Sequence, residues 1–245
     1  MIFLVPKRYF VPATVLYILS FISLAAMAAH ALNLIVFEHG EKIFTGVLAV
    51  VFGYSAAVFS ALCCENAQKR KKVIRRQLFF IFLFYIIMLV DFTLIDDTFG
   101  RNIFNVFSWN ETAFEEYVNT NTNLIPFETV KLFINGYRNG RLPLSAMLEN
   151  IVGNLLAFAP MPFFAVCIFK HFDRWYTVFT AVLVSVMTVE LLQFLFLTGS
   201  SDIDDVILNV SGAMIVYGII RIKKVSRGLS KITFGVWETV EKDRL

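Results

Sequence analysis

The chain has 245 residues, of which 58% are hydrophobic and only 17% are charged. Soluble domains carry roughly 25% charged residues, so this composition excludes an ordinary soluble domain and predicts a polytopic membrane protein. The net charge of +3 gives no indication of nucleic-acid binding, and we expect no nucleic-acid partner.

Six apolar segments follow one another along the chain, each near the roughly 20 residues that cross a hydrocarbon core. They lie at residues 11–37, 42–64, 77–95, 148–169, 176–198 and 203–222. We therefore expect an all-α, polytopic integral membrane helix bundle of about six transmembrane helices. The short sequence "EHGEK" between the first two predicts a tight hairpin.

The N-terminus leaves a second interpretation open. Lys7 and Arg8 precede an apolar run that ends in "AAMAAHA", which is typical of a signal peptide with an A-x-A cleavage site. The run continues through "LNLIVF", however, and is longer than the usual apolar region of a signal peptide. A first transmembrane helix is therefore the preferred interpretation.

The basic residues predict the orientation. Of the 22 Lys and Arg, 17 lie in the N-terminal segment, in "KRKKVIRR" at 69–76, at 170–174 and in the tail from Arg221 onward. These segments alternate with the remaining loops, so the positive-inside rule places both termini in the cytoplasm. We expect residues 66–75 and 170–175 to be cytoplasmic loops that meet anionic lipid headgroups, and residues 96–147 and 198–203 to be outside.

The chain then divides into four predicted segments. Residues 1–95 form an N-terminal three-helix region, 96–147 an extracytoplasmic loop, 148–222 a three-helix core and 223–245 a basic cytoplasmic tail. Apolar residues in the loop recur at helical spacing, which predicts two short amphipathic helices on the outer membrane surface, interrupted by "NTNTN"; a solvated loop is the alternative. These residues are Ile103, Phe107, Phe114 and Tyr117, then Phe127, Val130, Ile134 and Tyr137.

Four polar residues are predicted at membrane depth, where ionisable groups are costly and usually face the protein interior or a cavity. The helical rise places them roughly 6 to 12 Å below the outer surface, so they could meet in one layer. They are Asp91, Asn154, Glu190 and Asn209.

Polar residues also recur along single helix faces. Asn150 and Asn154 are four positions apart, and Glu190 and Gln193 are three apart. On the last helix, the spacing places Asp202, Asp205, Asn209 and Gly212 near one side. These stripes predict an outward-facing polar pocket centred on Glu190, Asp205 and Asn209, although the same residues could serve only as hydrogen-bonded contacts between helices.

The aspartates of "SSDIDDVILNVSG" at 200–212 have a second interpretation. Ser201 followed by Asp204 matches a capping box, and acids stabilise the first turn of a helix. This account covers Ser201, Asp202 and Asp204 but does not explain Asp205, which continues toward Asn209.

Cysteine and histidine predict no cofactor and no metal site. Cys63 and Cys64 lack the C-x-x-C spacing of a redox or zinc site; Cys167 is isolated, and the three histidines are scattered. We interpret the cysteines as packing residues.

Four motifs, in this order, resemble those of the VanZ-like membrane family. They are "NLIPF" at 123–127, "NIVGNLLAFAP" at 150–160, "ELLQ" at 190–193 and "DIDDVILNVSGAMIVYG" at 202–218. The resemblance adds Asn123 to the predicted ligand-binding residues. Two departures are Met161 with Pro162, where the family often has Leu-Gly, and "TGSS", where it often has an arginine that would contact an anion.

The family's first member is associated with teicoplanin resistance in bacteria. The resemblance therefore implies a multi-pass protein of the bacterial plasma membrane, with an envelope lipid, a lipid-linked cell-wall precursor or a lipoglycopeptide as partner. An enzyme is a second hypothesis, with Glu190 and Asp205 as acid and base or as ligands of a divalent cation. A transporter is a third, since intramembrane acids are common in transporters.

Overall fold

The computed structural model describes residues 7–31, 34–37, 39–96, 107, 109–169, 172 and 174–237. The chain divides into two compact units. The first unit comprises Met1–Leu83 and Lys223–Leu245, and the second comprises Phe84–Ile222. Parts of three predicted segments lie outside the described residues: Ile103 of the outer loop, Lys170 of the second basic loop and residues 238–245 of the basic tail.

The described elements are almost all helical. A short 3-10 helix, Lys7–Tyr9, precedes α1 (Phe10–Ala31), α2 (His39–Leu62), α3 (Ala67–Val90), a π-helical turn (Asp91–Ile95), α4 (Glu111–Asn121), β1 (Thr122–Asn123), α5 (Glu128–Arg138), α6 (Leu144–Ala157), α7 (Met161–Ile168), α8 (Trp175–Phe196), β2 (Ser201–Asp202), α9 (Ile203–Arg221) and α10 (Lys223–Ile232). Six helical segments of the described chain are long and apolar enough to cross a membrane. The predicted all-α polytopic bundle is confirmed, and the chain is a multi-pass membrane protein.

Large apolar side chains remain exposed along these spans. Phe10 is 68% exposed and Phe21 is 71% exposed. Such residues face lipid tails, which are as apolar as leucine, so burial in the protein supplies little driving force. Close packing of small residues and hydrogen bonds between helices must therefore hold the spans together.

In the first unit, α1 packs against α2. The hydroxyl of Ser20 donates to the carbonyl of Ala49 at 2.8 Å. α1 ends at Ala31, so the prediction that it continues to residue 37 is wrong. The Phe37 N–H donates to Nδ1 of His30 at 3.2 Å, and the two rings stack; this local contact turns the chain before α2.

The basic run at 69–76 is helical, so its prediction as a loop is wrong. α3 begins at Ala67, and Oδ1 of Asn66 accepts the backbone N–H of Lys69 at 2.7 Å. Asparagine is a favoured N-cap, and lysine, arginine and glutamine are good helix formers. The charges therefore extend the helix instead of preceding it.

In the second unit, α9 packs against α6, α7 and α8. The buried face of α8 presents valines at every fourth residue, Val178, Val182 and Val186. These pack in one cluster with Ala213 and Tyr217 of α9. Toward its C-terminal end the same face of α8 continues as Glu190 and Gln193, so an apolar core gives way to a polar layer.

The fourth span is broken, whereas the sequence predicted a continuous helix over 148–169. α6 ends at Ala157, and α7 begins at Met161 after Pro160. The Met161 N–H donates to the carbonyl of Phe158 and not to that of Ala157, as it would in a continuous helix. The Ala157 carbonyl instead accepts the hydroxyl of Tyr85 at 2.7 Å. An interrupted helix is tolerated in a membrane where a neighbouring helix satisfies the backbone.

Replacing Tyr85 with phenylalanine should destabilise the second unit. Tyr85→Phe keeps the ring and removes the donor to Ala157, and hydrogen bonds between membrane helices are worth about 0.6 to 1.7 kcal/mol. We expect a lower melting temperature in detergent. Tyr176→Phe is the matched control, because its hydroxyl pairs with Arg174 on an exposed surface. Equal melting temperatures for the two variants would contradict this role of Tyr85.

Two short helices, α4 and α5, occupy residues 111–138 of the predicted outer loop. α5 contains the predicted apolar positions Val130, Ile134 and Tyr137, whereas α4 begins at Glu111, so Phe107 lies outside the first helix. The "NTNTN" run contributes the last turn of α4 and the two residues of β1. The location of these helices on the membrane surface stays a prediction.

Candidate functional site

Four carboxylates are buried at one end of the second unit, where β1, β2 and the first turn of α9 lie. We call this the acidic end. Asp204 is 1% exposed, Asp202 and Asp205 are 5% exposed, and Glu190 is 7% exposed. Carboxylates are almost never so deeply buried without specific partners. The hydrogen-bond partners of each carboxylate therefore indicate its role.

Asp202 starts α9 and joins it to the preceding segment. Its Oδ1 accepts the Asp204 N–H at 2.8 Å and Nδ2 of Asn123 at 3.0 Å. Its own N–H donates to Oε2 of Glu190 at 3.0 Å. β1 and β2 pair in parallel, with Asn123 opposite Asp202. Asp202 is therefore the N-cap. The prediction that Ser201 caps this helix is wrong, because the side chain that accepts the Asp204 N–H is that of Asp202.

Asp204 caps a different helix from the one predicted. Its two carboxylate oxygens accept the backbone N–H groups of Phe127 and Val130 at the start of α5. α5 has no side-chain cap of its own, and its N-cap residue Phe127 adopts a left-handed conformation with φ of 65°. That conformation costs a non-glycine residue of order 1 kcal/mol or more, so Asp204 holds a strained backbone in place.

Asp205 contacts α6. The polar stripe on α9 predicted that this residue faces inward, and the structure shows which helix it meets. Its Oδ1 accepts a short hydrogen bond from Nδ2 of Asn154. One turn further, Nδ2 of Asn209 donates to the backbone carbonyl of Asp205 at 2.7 Å. Asn154, Asp205 and Asn209 thus form one connected group between α6 and α9.

Gln193 lies one turn beyond Glu190 and contacts the third span. Its Nε2 donates at 2.9 Å to the carbonyl of Thr93, which lies in the π-helical turn that begins at Asp91. A π-helical turn shifts the backbone register and leaves carbonyls to be satisfied from outside the helix. The contact therefore connects the turn that carries Asp91 with the polar end of α8.

Several buried polar atoms of these residues have no hydrogen-bond partner within the described part of the chain. Unpaired buried acceptors cost about 1 to 3 kcal/mol each, and such atoms accept hydrogen bonds readily from water or from a ligand's donors. They are Oδ1 of Asn150, Oε1 of Gln193, Oγ1 of Thr198 and Oδ1 of Asn209, with Oγ1 of Thr122 close in sequence to β1. Among the described residues, no hydrogen bond joins Asn150 to the acidic end. Asn150 is connected to it only through α6, which also carries Asn154.

α4 covers the loop between α8 and α9. Tyr117 donates its hydroxyl to the Thr198 carbonyl over 3.4 Å, and Nδ2 of Asn121 donates to the Gly199 carbonyl at 3.0 Å. Burial, together with the charge of Glu190, raises the pKa of Tyr117 to about 12. The phenol therefore stays protonated at neutral pH and acts as a donor.

Two features of this site were not predicted from the sequence. Asp204 was expected at the start of α9 and not at α5, although the absence of a capping side chain before Glu128 was a signal that α5 needs a partner from elsewhere. Tyr117 was expected only as an apolar position. Its contact with Thr198 spans 81 residues, and no local pattern indicates such a pair.

Comparison with known families agrees with this structure. The VanZ/LLP1 family model matches residues 82–224, which is more than half of the chain. The chain belongs to the VanZ/LLP1 family. The match nearly coincides with the second unit, Phe84–Ile222, so the family region is a compact unit of the structure. No curated protein and no solved structure matches the chain in the same comparisons.

Every predicted ligand-binding residue lies in the VanZ/LLP1 region. Direct hydrogen bonds join Asn123 to Asp202, Asp202 to Glu190, and Asn154 through Asp205 to Asn209. Within the described ranges, no group of three or more His, Cys, Asp or Glu side chains is arranged to hold a metal ion. The acid–base roles of Glu190 and Asp205 stay a prediction.

Proposed function

We propose that this VanZ/LLP1 protein is a bacterial plasma-membrane protein that binds the polar head of an envelope lipid or of a lipid-linked cell-wall precursor. In this proposal the acidic end faces the outer leaflet, and binding there contributes to tolerance of lipoglycopeptides such as teicoplanin. Family membership, the six candidate spans and the polar layer support the proposal.

The observation that carries the proposal is the pair formed by Asp205 and Asn154. Asp202 and Asp204 already account for the start of α9 and the cap of α5. Asp205 also lies in the first turn of α9 but caps neither helix, and it is 5% exposed in a span apolar enough to cross the membrane. An ionisable group retained at such a position usually marks a site.

The chemistry of the acidic end favours a ligand that donates hydrogen bonds. Carboxylates accept hydrogen bonds only, and the Oδ1 of Asn209 adds an acceptor without a partner among the described residues. A headgroup portion with hydroxyl or amino groups fits these acceptors. A bare phosphate does not, since buried carboxylates repel it.

The experiment compares Asp205→Asn with Ser201→Ala in a host where the wild-type chain raises teicoplanin tolerance. Asn keeps the shape of Asp205 and can still accept from Asn154, so we expect normal insertion with loss of most of the tolerance. Ser201→Ala should keep full tolerance, because the N-cap of α9 is Asp202. Tolerance is measured at matched membrane levels of the variants.

Full tolerance in the Asp205→Asn variant would overturn the proposed site. A second measurement separates binding from stability: the melting temperature of purified Asp205→Asn should stay within a few degrees of the wild-type value. A large decrease in both tolerance and melting temperature would mean that Asp205 acts as a structural contact.

A further inference from the structure

A basic groove lies on α10, in the first unit. Lys224, Arg227, Gly228 and Lys231 line an open cavity of about 430 Å³. The three cations are spaced i, i+3 and i+7, so they project from one helix face. α10 contains no acid, and the three basic side chains are exposed.

The opposite face of α10 is fixed by packing. Ser226 is 2% exposed and Trp237 is fully buried, and Nε1 of Trp237 donates to the Ser226 hydroxyl at 2.8 Å. At the end of the helix, the hydroxyl of Tyr54 donates to the Ile232 carbonyl at 2.7 Å. Because these contacts set the rotation of α10, its cations form a defined surface of the folded unit.

Gly228 keeps the floor of the groove open. A glycine inside a helix costs roughly 0.5 to 1 kcal/mol relative to alanine, and close packing is the usual reason to retain one. At Gly228 an added Cβ would meet nothing within 4 Å. A larger side chain at this position would therefore enter the open space beside the three cations, so substitution of Gly228 tests whether a ligand occupies that space.

The position of α10 indicates which anion it meets. α10 begins two residues after Arg221, where the span Ile203–Arg221 ends. The last residue of α10, Ile232, is apolar and 57% exposed. A basic helix that ends in an exposed apolar residue and follows a membrane span in the sequence is typical of an interfacial helix on an anionic lipid surface.

We propose that Lys224, Arg227 and Lys231 bind the phosphate of an anionic glycerophospholipid, with Gly228 leaving room for the headgroup. Three cations around one opening provide charge-assisted hydrogen bonds to phosphate oxygens. The exposed Ile232 provides an apolar contact for an acyl chain. This site is separate from the acidic end and does not depend on the proposed function.

The test uses the full-length protein in detergent and native mass spectrometry with added palmitoyl-oleoyl phosphatidylglycerol or phosphatidylcholine. Each cation near an anionic lipid surface is worth about 1 kcal/mol, or roughly fivefold. The variant Lys224→Gln, Arg227→Gln, Lys231→Gln should therefore bind phosphatidylglycerol at least tenfold more weakly. Phosphatidylcholine should bind weakly to both proteins.

The control variant is Lys131→Gln, Arg138→Gln, Arg141→Gln, in the segment that is predicted to lie outside. These three side chains are exposed and their replacement removes the same charge, so we expect less than a threefold loss. Gly228→Leu, which keeps every charge, should also weaken phosphatidylglycerol binding. An unchanged melting temperature confirms that each variant is folded.

Three results would overturn the proposal. The first is an equal loss of binding in the α10 triple variant and in the control triple variant, which would indicate diffuse charge. The second is full binding in Gly228→Leu, which would exclude the groove. The third is saturation of the site by soluble glycerol phosphate at the same concentration as the lipid, which would indicate a soluble anion in place of a lipid.

Discussion

Gly212→Ala should prevent the second unit from packing. A Cβ built on Gly212 would lie 1.8 Å from the carbonyl oxygen of Leu155 and 2.7 Å from its carbonyl carbon. No side-chain rotation relieves this clash, since both atoms belong to the backbone of α6. α9 and α6 would have to separate, which also stretches the contact between Asp205 and Asn154.

The expected cost of Gly212→Ala exceeds the roughly 1 to 3 kcal/mol of ordinary overpacking. We expect a large loss of monodisperse protein in detergent and a decrease in melting temperature well beyond that of Tyr85→Phe. Gly218→Ala is the control on the same helix, because its Cβ would meet nothing within 4 Å. Alanine is the better helix former by about 1 kcal/mol, so this variant should be as stable as the wild type or more so.

Similar stability of Gly212→Ala and Gly218→Ala would show that α6 and α9 do not approach as closely as the structure indicates. Gly153→Ala adds a control on α6, where the added Cβ again meets nothing within 4 Å. Only the glycine at the helix crossing should be sensitive.

Asp204→Ala should release α5 from the acidic end. The substitution removes both acceptors for the N–H groups of Phe127 and Val130. Hydrogen bonds to a charged group are worth about 1.5 to 3 kcal/mol each, so the two together amount to roughly 3 to 6 kcal/mol. Phe127 also loses the contact that holds its left-handed backbone, and we expect the first turn of α5 to open.

Hydrogen–deuterium exchange measures this opening directly. Amides of residues 127–131 should lose protection in Asp204→Ala, while those in the valine-lined part of α8 keep theirs. Asp202→Asn is the control, because its amide oxygen can still accept from the Asp204 N–H and asparagine is as good an N-cap as aspartate. Unchanged exchange at 127–131 would show that Asp204 does not cap α5.

Local patterns in the sequence are enough to predict the class of the protein, the six spans and the inward face of α9. Hydropathy and helical periodicity are properties of neighbouring residues, so they need no knowledge of the rest of the fold. The same local logic predicted helices within the 111–138 segment. The predicted end of the first span was wrong, because the contact of His30 with Phe37 turns the chain although the sequence stays apolar.

The pairing of the polar residues depends on contacts between helices that are distant in the sequence. Asp204 and Val130 are 74 positions apart, and Asn154 and Asp205 are 51 apart. Periodicity shows which face of a helix turns inward, but it does not show which neighbour that face meets or at what height. The spacing predicted that residue 212 faces inward with the polar stripe. It did not predict that only glycine fits there, because the carbonyl of Leu155 on another helix leaves no room for a Cβ. The break at Pro160 depends likewise on the hydroxyl that Tyr85 supplies from the third span.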